Sequence, residues 1–326
     1  MTRELLRVEH LRVEFPSPQG PLAAVRDVGL SLAGGEAVGV VGESGCGKSV
    51  TALSLLGLVP LPGRVAGGTV TVDGRDLARL SAAELRDLRG REVGMVFQEP
   101  MTSLNPVFTV GYQLAEALTT HQPLTRAAAR VRCVELLGEV GIAAPETRLH
   151  AYPGQLSGGL RQRVMIAVAI ACGPRLLVAD EPTTALDVTI QAQIMALLGR
   201  LRRQRGMALL LITHDLGLVA QNVERVLVMY AGMVVEECAT TALFGNPLHP
   251  YTRGLLASLP GTRDTRPGQP LRAIPGAVPH PSRVPEGCPF RDRCSEAVAA
   301  CAAGIPPLEG KRPQHRARCI RVAADV

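Results

Sequence analysis

The stretch "EAVGVVGESGCGKSVTALSLLGLV", residues 36 to 59, restricts the possible folds of this chain more than any other. An apolar run passes through glycines into a segment where Ala52, Leu55 and Leu56 fall at i, i+3 and i+4, the order strand, loop, helix. Gly42, four further residues and Gly47-Lys48-Ser49 fit the pattern G-x-x-x-x-G-K-S/T. Glycines in such a loop let backbone N–H groups turn inward toward phosphate oxygens, and the following helix adds positive potential. Lys48 would meet the β and γ phosphates and Ser49 would hold Mg²⁺. Ser44, Gly45, Cys46 and Val50 complete the candidate nucleotide contacts around Gly42 and Gly47. All but two of the 35 basic residues are Arg, which makes a lysine at this place more telling.

A second carboxylate-bearing stretch fits the same chemistry. In "PRLLVADEPTTALD" a short apolar strand ends in Asp180 and Glu181, and open α/β sheets bind nucleotides at the C-terminal ends of their strands. Asp180 is the candidate Mg²⁺ ligand. Glu181 is placed to activate an attacking water. Between the two stretches lies "QLSGGLRQRVMIAVAIA", where Ser157, Gly158 and Gly159 precede a helical pattern and form a second anion-binding element.

One chain hardly needs two such elements for one γ-phosphate, and the arrangement resembles the ATP-binding cassette (ABC) ATPases. In that family two cassettes pair head to tail, so that the serine and glycines of one close over ATP held by the other. The resemblance extends to Gln98 in "MVFQEP", Asp187 in "ALD" and His214 in "LLLITHDLG". It implies that Gln98 senses Mg²⁺ and water and touches the transport partner, that Asp187 reaches across the dimer, and that His214 contacts the γ-phosphate. Lys48, Gln98, Glu181 and His214 are then the catalytic set, with Ser49, Gln98 and Asp180 around Mg²⁺. Phe15 matches the aromatic that stacks on adenine, although a core Phe in an N-terminal strand remains the alternative. The usual LSGGQ reads Leu156-Ser157-Gly158-Gly159-Leu160 here, so position 160 lacks the side-chain amide.

Three stretches narrow the resemblance to the ATPase subunits of dipeptide, oligopeptide and nickel importers: "FQEPMTSLNPVFTVGYQLAEAL", "FGNPLHPYTRGLLASLP" and "IPGAVPHPSRVPEGCPFRDRC". The implied fold is α/β, a P-loop NTPase cassette with a RecA-like core, an antiparallel β subdomain and a helical subdomain. Residues 1–260 carry the cassette, with short strands over about 5–96 and a helical insert over about 97–157, whose apolar periodicity puts Cys133 on the packed face. The implied partners are a second ABC ATPase subunit, two transmembrane permease subunits and an extracytoplasmic peptide-binding protein. No apolar run approaches the ~18 residues of a membrane helix, and the N-terminus lacks a signal-peptide core. The chain is therefore expected at the cytoplasmic face of the membrane, peripheral to it. Nickel import, and a soluble nucleic-acid or ribosome-associated ABC ATPase, are the alternatives.

Nucleic acid is the less expected partner. From residue 261 onward the chain has 11 Lys and Arg against 6 Asp and Glu, so five of the six net positive charges sit in the tail. There is no Trp, and only nine residues are Phe or Tyr, too few for a stacking surface. The segment 261–326 is Pro- and Arg-rich, and its first part, "PGTRDTRPGQPLRAIPGAVPHPSRVPEG", is expected to run as extended, turn-rich chain. It carries Cys288, Cys294, Cys301 and Cys319, spaced C-x5-C-x6-C-x17-C. Four thiolates suit zinc or an iron–sulfur cluster, and packing by free thiols is the third reading. The gaps are wider than the C-x2-4-C knuckles of zinc ribbons. The importer resemblance implies a 4Fe-4S cluster, with zinc as the alternative, and Arg291, Arg293, Arg316 and Arg318 offsetting its negative charge.

Overall fold

The structure, a computed structural model, describes residues 4–259 and 273–324. Its strands are β1 (Glu4–Phe15), β2 (Leu22–Ala33), β3 (Ala37–Val41), β4 (Arg64–Val72), β5 (Arg75–Asp76), β6 (Val93–Val96), β7 (Leu176–Asp180), β8 (Ala208–Thr213), β9 (Arg225–Tyr230), β10 (Met233–Ala239), β11 (Glu309–Arg312) and β12 (His315–Ala317). The helices are α1 (Lys48–Ser54), α2 (Ala82–Arg91), α3 (Pro100–Ser103), α4 (Val110–His121), α5 (Arg126–Glu139), α6 (Pro145–Arg148), α7 (Gly158–Ile170), α8 (Val188–Arg205), α9 (Leu216–Asn222), α10 (Thr240–Gly245) and α11 (Pro250–Ala257). Two compact units alternate along the sequence. The first holds Met1–Leu6, Leu32–Ala37 and Val72–Ile212; the second holds Arg7–Ser31, Val38–Thr71 and Thr213–Val326.

In the first unit β6, β7 and β8 form a parallel ladder, with Val93 opposite Leu176 and Val178 opposite Leu210. All five residues of β7 and all six of β8 are buried. That explains why they read as continuous apolar runs: a parallel strand covered on both faces has no polar side. Gly94 lets α7 approach β6, because a Cβ there would collide with the carbonyl of Ala169. The helical insert forms as expected. Thr109 and Thr125 cap α4 and α5, and Val110, Leu114 and Leu118 line the buried face of α4 at helical spacing. Cys133 is buried with Ala129, Leu136 and Leu137 on α5.

The second unit carries the phosphate-loop strand. Here β3 runs parallel to β9, with Val41 opposite Val228. A tight turn leads into β10, whose Met233 pairs with Tyr230 and, in parallel register, with Asp27 of β2. Farther along β10, Glu236 and Glu237 face Ala317 and Arg316 of β12, which forms a hairpin with β11.

One expectation needs correction. The region 5–96 does not consist of short strands, since β1 and β2 run for 12 residues each. The tail agrees with its expectation from residue 273 to residue 287, which runs as bends and one short 3-10 turn. Its segment "EGKRPQHRA" has no apolar alternation, yet it becomes β11 and β12 because a free edge of β10 is there to complete their hydrogen bonding. Residues 260–272, where the extended chain was expected to begin, lie outside the described residues.

Candidate functional site

The phosphate-type loop leaves β3 at Val41, and two of its glycines are required by close backbone approaches. A Cβ on Gly42 (φ 155°) would strike the carbonyl of Met229, and one on Gly47 (φ 101°) would lie 2.6 Å from Ala24 O. Lys48 is buried, and its Nζ donates to Gly42 O at 2.7 Å and to Glu43 O at 3.1 Å. The ammonium is thus aimed into its own loop, where phosphate oxygens would compete for it. Ser44 and Gly45 are exposed and Cys46 is buried; Ser49 and Val50 are partly buried. Burial pushes the Cys46 thiol above its ordinary pKa, more than the Lys48 ammonium lowers it. The Phe15 ring lies against Gly63, whose side any Cβ would occupy. His214 follows β8 and is exposed, while the next residue, Asp215, caps α9 through bonds from Gly217 N and Leu218 N.

The first unit holds the carboxylates. Asp180 ends β7 with 4% of its surface exposed. Glu181 follows in a left-handed backbone conformation (φ 46°), which a non-glycine residue adopts only at a cost of order 1–3 kcal/mol. Its N–H donates to Ile212 O at 2.8 Å, and Thr184 Oγ1 donates to its Oε2 at 2.7 Å. The carboxyl is held at the strand end while remaining partly exposed. Gln98 lies exposed two residues beyond β6. Ser157 occupies the N-cap position of α7 without making a side-chain capping bond, and it is exposed. Gly158 and Gly159 open the helix, and Leu160 is half-buried in its first turn. Asp187 does have a local role: its Oδ1 accepts from Ile190 N at 2.9 Å and caps α8.

Tight turns of the tail bring Cys288, Cys294, Cys301 and Cys319 around one small cavity, with His249 and Phe290 in its wall. Cys288 N donates to Cys301 O at 2.8 Å, and Cys294 N to Arg291 O at 3.3 Å. Among the described residues, no three of these sulfurs come within 4.8 Å of one another. Burial raises the thiols of Cys288, Cys294 and Cys319, and neighbouring thiols push in the same direction. The arginines do not surround the cavity as expected. Arg291 lines it, but Arg293 pairs with Glu43, Arg316 with Glu237 and Arg318 with Asp27, because these carboxylates offer direct partners.

Sequence reasoning missed two polar centres. Glu236 is fully buried and accepts from Leu248 N (2.7 Å), His249 N (2.9 Å) and His315 Nε2 (2.7 Å). Burial alone would raise its pKa, but these bonds outweigh it and leave the carboxyl below its ordinary range. Cys238 lies within 4.8 Å of Glu236 and His315. Burial, then Glu236 and Glu237, push its thiol up to about 12. With Glu236 already accepting these bonds, the group reads as a fastening of β12 to β10. The second centre is Glu43, whose N–H donates to Tyr251 Oη at 2.9 Å and whose carboxylate receives both terminal nitrogens of Arg293. No local pattern announces either.

Comparison with known proteins gives first the class. The ABC transporter family model matches residues 25–184. A dimeric ATP-binding cassette solved in a post-hydrolysis state with ADP and Pi superposes with a TM-score of 0.64 at 28% identity, over 72% of this chain and 99% of the other. The fold is the ABC cassette of ATPases that bind ATP with Mg²⁺. The branch follows from the tail, where the model "Oligopeptide/dipeptide transporter, C-terminal region" matches residues 235–301. The dipeptide transport ATP-binding protein DppD of Escherichia coli is 49% identical over 97% of this chain and 96% of its own length. A probable peptide ABC transporter ATP-binding protein of Sinorhizobium fredii is 49% identical over 97% and 95%. The chain belongs to the oligopeptide/dipeptide branch of the ABC transporter ATP-binding proteins. No helix among the described residues is long and apolar enough to cross a membrane.

Proposed function

We propose that this chain powers the import of di- and oligopeptides through an ABC transporter, working as its ATP-hydrolysing subunit at the cytoplasmic face of the membrane. The near end-to-end identity with a dipeptide transport ATP-binding protein carries this reading, since it spans the tail as well as the cassette. Relatives named for peptide transport favour peptides over nickel or nucleic acid as the cargo or partner.

Lys48 and the loop amides bind the phosphates. Ser49 and Asp180 supply the hydroxyl and carboxylate oxygens that suit Mg²⁺, which when bound neutralises phosphate charge. Glu181 orients and deprotonates the attacking water, His214 contacts the γ-phosphate, and Gln98 links the site to the permease. The exposed Ser157, with Gly158 and Gly159, serves the nucleotide of a second cassette, and Asp187 adds to that contact while capping its own helix. The exposed Phe97, Met101, Phe108 and Tyr112 of the helical insert suit docking of the permease subunits.

Cys288, Cys294, Cys301 and Cys319 are the residues that would hold a 4Fe-4S cluster. Their side chains line one cavity, and their C-x5-C and C-x6-C gaps are wider than the C-x2-4-C knuckles of zinc ribbons. Such a group supplies a cross-link among four turns. Uptake of a labelled dipeptide by cells lacking this chain, restored by the wild type but not by Glu181→Gln, tests the transport reading. Restoration by Glu181→Gln, or uptake indifferent to the chain, contradicts it. Iron, sulfide and zinc assays on anaerobically purified protein test the cluster: about four irons per chain supports it, and zinc alone or no metal removes it.

A further inference from the structure

We propose that Arg293, in the C-terminal tail, is a positioning residue for ATP binding: it clamps Glu43 of the phosphate-binding loop and neutralises that carboxylate beside incoming phosphate. The two residues are 250 positions apart, yet the guanidinium grips the carboxylate through two bonds, NH1 to Oε2 at 2.7 Å and NH2 to Oε1 at 2.9 Å. Bidentate pairs of this kind fix geometry as well as charge.

Both partners are held from behind. Arg293 Nε donates to Pro275 O at 2.8 Å, NH2 approaches Gly276 O at 3.4 Å, and the guanidinium lies 5.7 Å from the centre of the Tyr230 ring. Its side chain is only 7% exposed. Around it Tyr230, Tyr251 and Phe290 pack ring to ring at 4.7–5.3 Å. Glu43 in turn has every polar group engaged. Its N–H donates to Tyr251 Oη, its carbonyl accepts from Lys48 Nζ, and its carboxylate accepts from Arg293.

Two consequences follow for an anion-binding loop. A loop already fixed at one residue loses less conformational freedom when it closes around phosphates. An unpaired carboxylate one residue from Gly42 would repel those phosphates, and the arginine cancels that repulsion. The clamp rests on the ATP-binding reading rather than on the transport reading.

The test is nucleotide binding to the full-length chain, read by fluorescent ATP and ADP analogues at fixed salt. Arg293→Gln should weaken ATP binding by about tenfold, the scale of one lost charge-assisted contact, and weaken ADP binding less. Glu43→Gln loses the clamp but also the repulsion, so it should cost only about threefold. The double variant should return to the Glu43→Gln level, so that removing the carboxylate rescues the loss of the arginine, a result that a purely structural role does not give. Arg293→Lys, which keeps the charge without the fork, should fall between. Unchanged ATP and ADP affinities in Arg293→Gln, or a double variant weaker than both singles, would overturn the proposal. If Arg293→Gln does not fold, the half-exposed Glu43 carries the test, and unchanged ATP affinity in Glu43→Gln overturns the proposal. Failure of the wild type to bind ATP would instead remove the nucleotide reading itself.

Discussion

The phosphate-binding loop and the four-cysteine pocket are both made of tight turns, but they are specified on different length scales. The loop takes its working groups from eight consecutive residues, Gly42 to Ser49. The pocket collects sulfurs from Cys288 to Cys319 and walls from His249 and Phe290. A loop whose chemistry is backbone N–H and one lysine can be written as a short motif. A pocket whose geometry depends on successive turns cannot, because cysteine spacing fixes the candidates and not the distances between them.

The sharpest separation between the regions should come from Glu181→Gln. Loss of a general base costs typically 10²–10⁴-fold, so turnover should fall at least about a hundredfold while ATP remains bound. Normal hydrolysis by this variant, measured by phosphate release, removes Glu181 from the role of base. Under the proposed cluster reading, the complementary change, Cys319→Ser, should leave Glu181 chemistry alone and lower the melting temperature by about 10 °C or more, since a bound metal contributes its binding free energy to folding. An unchanged melting temperature would mean that the thiols merely pack.

An intermediate effect belongs to Glu236, which fastens the tail hairpin to β10. Its folded-state pKa lies below the ordinary value of 4.5, so the stability it contributes is complete above that value and is lost as pH falls through the lowered one. Glu236→Gln should cost about 1.5–3 kcal/mol at neutral pH and flatten the acid limb of a stability-versus-pH curve. Parallel curves for the two proteins would show that the carboxylate charge is not what matters. The smallest effect is expected at Leu160. Leu160→Gln, which restores the missing amide at a half-buried position, should change the ATPase rate of the assembled transporter by less than about threefold, the scale of one net hydrogen bond or less. A larger gain would mark the native leucine as a defect of the second anion-binding element.

Much of the cassette was legible because its signals are local. The buried strand β7 ends at Asp180 as the run Leu176–Ala179 suggests, and α4 and α5 follow apolar periodicity. The rest was hidden for identifiable reasons. Arg293 is one arginine among many, and nothing near it in sequence points to Glu43. Segments β11 and β12 show no apolar alternation and become strands only through the edge they join. Asp187 was read for contact with another cassette, although an aspartate just before the helical run of α8 was also a legible N-cap.

The measurement that bears most directly on the whole account is ATP hydrolysis by the assembled transporter in proteoliposomes, with and without peptide-loaded binding protein, while peptide uptake is followed in the same vesicles. The account predicts that peptide stimulates hydrolysis, that peptide accumulates inside, and that Glu181→Gln in this chain abolishes the accumulation. Hydrolysis indifferent to peptide, with no accumulation, would contradict it.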